Sequence, residues 1–463
     1  MKFPYRLKQL ILLLGDLFSY SFGFWLGLAI RNFSIPSAVT LEAHVNLALG
    51  LFVLWILINY INGLYDLAST YEGKGYKRIS EAGLSALIVS VVLLYLLPQT
   101  RLTPKTILVL GISFGYLIST CWRLGFNRLI GNKKLSTRIL FVGYSEDTQE
   151  LMDIIERHPE KGYEVVAICD PENGTQAHKL KTRAAVYRSL KALRPAISTH
   201  KIQLIVAAPN LRDTEETLRE LYELLFWPVS IIDYSKLYEN VTGRISPVIF
   251  SENWFLANLT NHENHIYNKS RRVADYLVSF IIGLLMIVLF PLIAMLIKLN
   301  SKGPVFFKQK RVGQFGRIFT MYKFRTMYAL APDGSAEESG AQFAKKGDKR
   351  ITAIGKILRK MRIDELPQCI NLFRGDLSLI GPRPERPEIV EKLEAKMPYY
   401  PLRHIVKPGI TGWAAIHQHY TDTMETSLQK LQYDLFYIKN RSFLLDLIIL
   451  LRTVNVVIRM MGQ

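Results

Sequence analysis

Apolar positions fall into two regimes along this chain. Through residue 122 they form four long runs, Leu10 to Ile30, Leu47 to Leu64, Leu84 to Leu97 and Ile107 to Trp122, which read as membrane spans, the last two short or interrupted by glycine. From Ser136 to about Trp254 the runs shorten. Arg138 to Gly143 predicts a buried strand closed by glycine and Thr148 to Arg157 a helix; Glu164 to Cys169, Gln203 to Ala208 and Val229 to Ile232 predict further strands. That succession predicts a Rossmann-like parallel sheet. A last long run, Tyr276 to Leu299, has basic residues on both sides: Lys269, Arg271 and Arg272 before it, and Lys298, Lys302, Lys308, Lys310 and Arg311 after it. Basic flanks mark the cytoplasmic side of a membrane. Pro291, inside the run, removes a helix hydrogen bond and predicts a re-entrant helix-break-helix in place of a fifth crossing.

The expected fold is therefore a mixed membrane protein in three parts. A four-helix transmembrane bundle covers residues 1–130, a Rossmann-like soluble α/β domain 136–256, and a C-terminal α+β domain 265–463 with its membrane hairpin at 276–299. Gly143-Tyr144-Ser145 does not supply the G-x-G-x-x-G phosphate fingerprint, so a structural, regulatory or subunit-contact role outweighs dinucleotide binding. Asp16 and Glu81, near span ends, read as interfacial residues and not proton carriers. Phe443 to Met461 is apolar with Asp446, Arg452 and Arg459 interspersed, a pattern for a helix lying in the interface.

Charge and cysteine usage narrow the function. A formal net charge of +19 with 49% hydrophobic residues, in a chain with long apolar runs, points to an anionic leaflet and an anionic substrate and away from nucleic acid. Lys2, Arg6 and Lys8 precede the first span, Lys74, Lys77 and Arg78 follow the second, and Arg123, Arg128, Lys133, Lys134 and Arg138 follow the fourth. This distribution predicts that the N-terminus and everything after Arg123 face the cytoplasm. The first run lacks a small-residue cleavage site and is followed by further spans, so it is not read as a signal peptide. The cysteines, Cys121, Cys169 and Cys369, are scattered singly and form no zinc or disulfide pattern. His417 and His419 alternate with no completing ligand nearby.

The candidate chemistry centres on Asp364-Glu365. A basic helical run, Thr352 to Arg362, leads into the pair, Pro367 prevents smooth continuation, and Gly381-Pro382-Arg383-Pro384 offers a stiff turn whose arginine presents a planar fork to phosphate oxygens. Lys323 and Arg325 sit in a stretch rich in glycine, cations and aromatics that reads equally as a plain strand with solvated ends. Ala331 to Lys349, containing Glu337 and Glu338, is polar and reads as a mobile loop beside the site. Trp413, in a turn-rich Pro408 to Trp413, divides evenly between packing and nucleotide contact.

The strings DELPQ and NLFRGDLSLIGPRP around this pair, with KGPVFFKQKRVGQFGRIFTMYKFRTM upstream and RHIVKPGITGWAAIHQ downstream, resemble the bacterial sugar transferases, the monotopic phosphoglycosyl transferases. The resemblance implies transfer of a hexose-1-phosphate from a UDP-sugar, with glucose or galactose leading and an N-acetylated sugar as alternative, to undecaprenyl phosphate. UMP is released and exopolysaccharide, O-antigen or capsule synthesis is primed. It further implies Asp364 as nucleophile in a covalent phosphosugar intermediate, Glu365 as support for Mg²⁺ with Asp364 as fellow ligand, and Lys323, Arg325, Arg359 and Arg383 at phosphate. Long members resemble this three-part arrangement, and small ones use a proline-broken hairpin, although Phe290 stands where some carry serine before the proline. The implied setting is the bacterial inner membrane, with membrane lipids and a homodimer as expected partners. The alternative from another class is a membrane-tethered interaction or regulatory protein with a silent transferase domain.

Overall fold

The computed structural model describes residues 3–67, 75–96, 105–129, 136–171, 184–209, 215–259, 265–336, 348, 350–418 and 423–458. Glu337, Glu338, most of the expected loop after Ala336, and His419 lie outside the described residues. Two compact units divide the chain, Met1–Thr242 and Gly243–Gln463.

The first unit begins with helices α1 (Phe3–Asn32), α2 (Ala38–Ile61), α3 (Gly75–Leu96) and α4 (Lys105–Leu129). Each begins before its predicted run, and the first and fourth also end beyond it; at the end of the second, Asn62 caps the helix and Gly63 turns at φ +72 before Leu64. The glycines of the first and fourth runs are packing surfaces. Gly23 and Gly27 of α1 lie against Gly115 and Gly111 of α4 so closely that a Cβ at any of the four would crowd the facing helix, the close approach that small residues permit between membrane helices. Asp16, expected at the interface, is instead fully buried, paired with Arg123 and accepting from Ser119 Oγ at 2.6 Å. In an apolar bundle a buried carboxylate is costly without such a partner.

The α/β part follows the predicted order: β1 (Thr137–Val142), α5 (Glu146–Arg157), β2 (Tyr163–Cys169), β3 (Ala185–Tyr187), α6 (Leu193–His200), β4 (Leu204–Ala207), α7 (Glu215–Glu223), β5 (Ser230–Asp233) and α8 (Tyr234–Thr242). All strand pairs are parallel, in the order β3-β2-β1-β4-β5. The sheet buries both faces, Ile139 and Phe141 on one and Leu140 and Val142 on the other, as parallel sheets with helices on both sides must.

The second unit comprises α9 (Glu252–Leu259), α10 (His265–Asn300), the antiparallel hairpin β6 (Phe306–Val312) and β7 (Ile318–Phe324), α11 (Ala353–Lys360), α12 (Cys369–Arg374), β8 (Ser378–Ile380), α13 (Pro387–Glu394), β9 (Gly409–Thr411), α14 (Trp413–His417), α15 (Met424–Asn440) and α16 (Phe443–Ile458). Ile245, Phe255 and Leu259, which the sequence places at the end of the α/β domain or in the linker after it, belong to this unit's main core with Tyr400, Leu435 and Tyr437. By length and composition, four described helical segments are apolar enough to cross a membrane: Arg6–Asn32, Ala38–Ile61, Thr106–Arg128 and His265–Asn300. Pro291 lies within α10 and does not end it. On α16 the polar pattern is inverted. Asp446 turns inward to the hydroxyls of Tyr267 and Tyr437 at 2.8 and 2.9 Å, while Phe443, Leu444 and Leu447 face outward.

Candidate active site

Thr352 caps α11 by accepting from Gly355 N at 2.9 Å, and the helix stops at Met361 because Arg362 adopts left-handed backbone at φ 58. A non-glycine residue held there costs about 1–3 kcal/mol and persists where surrounding structure fixes it. The turn redirects the chain into a short 3₁₀ helix, Ile363–Gln368, which contains Pro367. Asp364 and Glu365 are thus carried on a separate turn beside β7, not on the end of α11.

Three cations converge on one oxygen. Glu365 Oε1 lies 3.3 Å from Lys323 Nζ, 3.3 Å from Arg362 Nη1 and 3.5 Å from Arg383 Nη2. Burial pushes the Glu365 carboxyl up, but Lys323, Arg383 and Arg362 together overrule it and hold the group well below the usual carboxylate range. A close pair attracts by about 4 kcal/mol at an effective dielectric of about 20. Lys323 counts most, because Arg362 and Arg383 are more exposed and their pairs are screened. Burial in turn pushes the Lys323 ammonium down against the pull of Glu365.

Asp364 behaves differently. It is buried, and its Oδ1 has no hydrogen-bond partner among the described residues. Burial pushes its carboxyl up, opposed by Lys323 and helped by the negative Glu365. A buried carboxylate oxygen without a partner, beside a carboxylate that already faces three cations, is expensive unless something binds it. The site therefore has an opening for a cation or an electrophile at Asp364. This suits a hard divalent ion, which takes one or two carboxylates and completes its shell with substrate phosphates.

The loop bearing Arg383 is held from behind. Arg403, 1% exposed, donates to Asp434 Oδ2 through Nε at 3.0 Å and Nη2 at 2.8 Å, to Tyr400 Oη at 2.6 Å, and to the Arg383 carbonyl at 2.9 Å. Lys430 pairs with Glu385, whose other oxygen lies 3.7 Å from Arg311 Nη1. Gly381 and Gly409 pack backbone to backbone, with no room for a Cβ at either, which joins the GPRP turn to the PGITG turn through the parallel β8–β9 pair. On the other side Asn371 extends the edge of β7, donating to Thr320 O at 2.7 Å and accepting from Tyr322 N at 3.2 Å.

Of the four cations nominated from sequence, Lys323 and Arg383 reach Glu365. Arg359 donates from Nε to Thr326 Oγ1 at 2.8 Å, and its guanidinium feels the Asp364 charge. Arg325 is not in the site. It is 2% exposed and donates to the carbonyls of Lys302 and, at 2.8 Å, Ser301, closing the C-terminal end of α10. Trp413 packs: its indole N–H donates to Gly243 O at 2.8 Å and its ring stacks on Phe436. Sequence reasoning reaches Arg362, as the end of the basic run leading into the pair, but not Asn371, Arg403 or Asp434. The pairing of Arg403 with Asp434 links distant helices and leaves no local signal.

The model of the family described as bacterial sugar transferase matches residues 266–460. A UDP-N-acetylgalactosamine-undecaprenyl-phosphate N-acetylgalactosaminephosphotransferase of Aeromonas hydrophila is 38% identical over 272 residues, 58% of this chain and 62% of that protein. A UDP-glucose:undecaprenyl-phosphate glucose-1-phosphate transferase of Klebsiella pneumoniae is 32% identical over 343 residues, 71% of this chain and 69% of that protein. One of the same description from Caulobacter vibrioides is 39% identical over 186 residues, 40% of this chain and 68% of that protein.

Proposed function

The chain belongs to the bacterial sugar transferase family, and from that premise we propose that it moves a sugar-1-phosphate from a UDP-sugar to undecaprenyl phosphate, releasing UMP, as a priming step of polysaccharide synthesis at the cytoplasmic face of the inner membrane. The observation that carries this reading is the buried Asp364 with its unsatisfied Oδ1, set in a ring of cations anchored by Glu365.

In the proposed reaction the Asp364 carboxylate attacks the β-phosphorus. An oxygen–phosphorus bond forms, the bond to the bridging pyrophosphate oxygen breaks, and UMP leaves with the electron pair. An oxygen of the lipid phosphate then attacks the acyl-phosphate phosphorus and frees the carboxylate. Arg383, Arg359 and Lys323 neutralise charge on the departing phosphate, and Arg403 fixes Arg383 through its carbonyl. Mg²⁺ would be held by Asp364 and Glu365 and would supply charge neutralisation at the pyrophosphate.

The membrane segment supports a re-entrant reading. The same unit grips α10 on both sides of Pro291: before it Arg271 donates to Ser378 Oγ at 3.0 Å and Asp275 accepts from Leu379 N at 2.8 Å, and after it Ile293 and Ile297 pack with Phe324 and Leu358. A straight helix of 36 residues spans about 54 Å, against a hydrocarbon core of about 30 Å. Contacts with one unit before and after Pro291 favour both ends on one side of the membrane. A kink at Pro291 would then sink the exposed Phe280, Ile287 and Val288 into the lipid.

A panel of UDP-glucose, UDP-galactose and their N-acetylated counterparts with undecaprenyl phosphate, read by UMP release, tests the reaction and identifies the sugar. Lipid-dependent release with one of them is expected. No release with any of the four overturns the reading in favour of a silent domain.

A further inference from the structure

The second unit contains a cavity of about 680 Å³ that none of the groups around Glu365 lines. Its walls are apolar on one side, including Leu256 and Phe315, which are 64% and 70% exposed, and cationic on the other, where Arg271, Arg272, Lys407 and Arg441 meet a single acid, Asp275.

That acid is already engaged, because Asp275 Oδ1 accepts from Leu379 N at 2.8 Å and from Ser378 Oγ at 3.1 Å. Arg271 is balanced by Asp446 at 3.4 Å. Among the described residues Arg272 donates to uncharged oxygens: the carbonyls of Leu372 and Phe373, each at 2.9 Å, and Tyr276 Oη. Lys407 and Arg441 have no hydrogen-bond or ion-pair partner among the described residues, and Arg441 Nε is buried. Four cations thus face two carboxylates, Asp275 and Asp446, and the cavity is left with an excess of two positive charges. Such a cluster is stable when an anion occupies it.

The anion can be specified further from its surroundings. A free phosphate has no use for an apolar wall. Arg271 and Arg272 also stand at the head of the stretch of α10 where outward residues become apolar, with Val273, Leu277 and Phe280 all more than half exposed. Cations at the mouth of a lipid-facing segment lie at headgroup depth. We propose that this cavity binds the phosphate headgroup of an anionic phospholipid, with Lys407 and Arg441 on the phosphate and the Leu256–Phe315 wall along the upper acyl chain.

The test uses the full chain in neutral detergent, titrated with short-chain phosphatidylglycerol, short-chain phosphatidylcholine and inorganic phosphate, with binding read by calorimetry. Phosphatidylglycerol should bind, phosphatidylcholine should not, and inorganic phosphate should not displace it. The Lys407→Gln/Arg441→Gln pair should weaken phosphatidylglycerol by about thirtyfold, while Lys407→Arg/Arg441→Lys, which keeps the charge, should retain it. Lys407→Glu alone, at a half-buried position, should also abolish binding and serves if the double variant does not fold. Equal binding of the two lipids, wild-type binding by the glutamine pair or by Lys407→Glu, or displacement by inorganic phosphate overturns the proposal. So does stoichiometric displacement by undecaprenyl phosphate, which would make the cavity the acceptor's site.

Discussion

Replacing Arg403 by lysine tests how the site is held together. Arg403 touches neither carboxylate of the Asp364-Glu365 pair. Its guanidinium ties Asp434 on α15 and Tyr400 to the Arg383 carbonyl. Lysine can keep the ion pair with Asp434 but cannot reach Tyr400 and the Arg383 carbonyl together, since a point ammonium has no planar fork. Two hydrogen bonds from a charged donor are lost, each worth about 1.5–3 kcal/mol, so the fold should lose about 3–6 kcal/mol. That is a large share of a stability of about 5–15 kcal/mol, but it leaves folded protein to assay. Loosening Arg383 by about 1 Å should reduce turnover by about 10²-fold. The assay is guanidinium unfolding in detergent alongside kcat and KM for the UDP-sugar, in a cycle with Arg383→Ala. If Arg403 acts through Arg383, the double variant is little slower than Arg383→Ala alone. Losses in turnover that multiply, or an Arg403→Lys enzyme that is less stable yet fully active, refute the positioning role.

Three further outcomes follow from particular contacts. Arg325→Lys should destabilise the end of α10 by about 1.5–3 kcal/mol while leaving KM for the UDP-sugar unchanged; a raised KM at unchanged stability would return Arg325 to the phosphate site. Glu385 is pushed up by burial but pulled down to about 2, most strongly by Lys430. A depressed carboxyl contributes stability that is present above its unfolded pKa and lost as pH falls through the folded one, so unfolding measured from about pH 5 to pH 2 should show a loss that Glu385→Gln lacks, and identical profiles contradict this. Single cysteines at Lys269 and Lys302 should both resist an impermeant reagent applied outside sealed cells, and labelling of the second alone means that α10 crosses the membrane.

The sequence was most legible where chemistry and chain neighbourhood coincide. Asp364 and Glu365 share one turn, Pro367 marks it, and the motif residues Lys323 and Arg383 meet there. Arg325 misleads because it is two residues from Lys323 and would share its face on a continuing strand. β7 ends at Phe324, however, and Arg325 turns back to the last carbonyls of α10. Glycines that look like interruptions in the first and fourth apolar runs are spaced four apart on facing helices, so they serve packing between helices, which no single run reveals. Asp16 and Arg123 are separated by the whole bundle in sequence, and only the fold brings them together. β3 is three residues long, too short for its periodicity to register. Ile245, Phe255 and Leu259 carry no compositional break that would join them to the second unit, yet a cut at residue 265 would remove them from its core.

The central claim is that Asp364 is a nucleophile, and it is met most directly by a single turnover without acceptor. Wild-type enzyme mixed with its UDP-sugar and no lipid phosphate should release about one UMP per active site and stop, as a two-step covalent route requires. Mass spectrometry of a rapidly quenched digest should find the sugar phosphate on the peptide containing Asp364. Asp364→Asn should show neither the burst nor the adduct. Repeated absence of the adduct, with initial rates giving intersecting instead of parallel lines, would contradict the claim and make Asp364 a metal ligand for direct transfer.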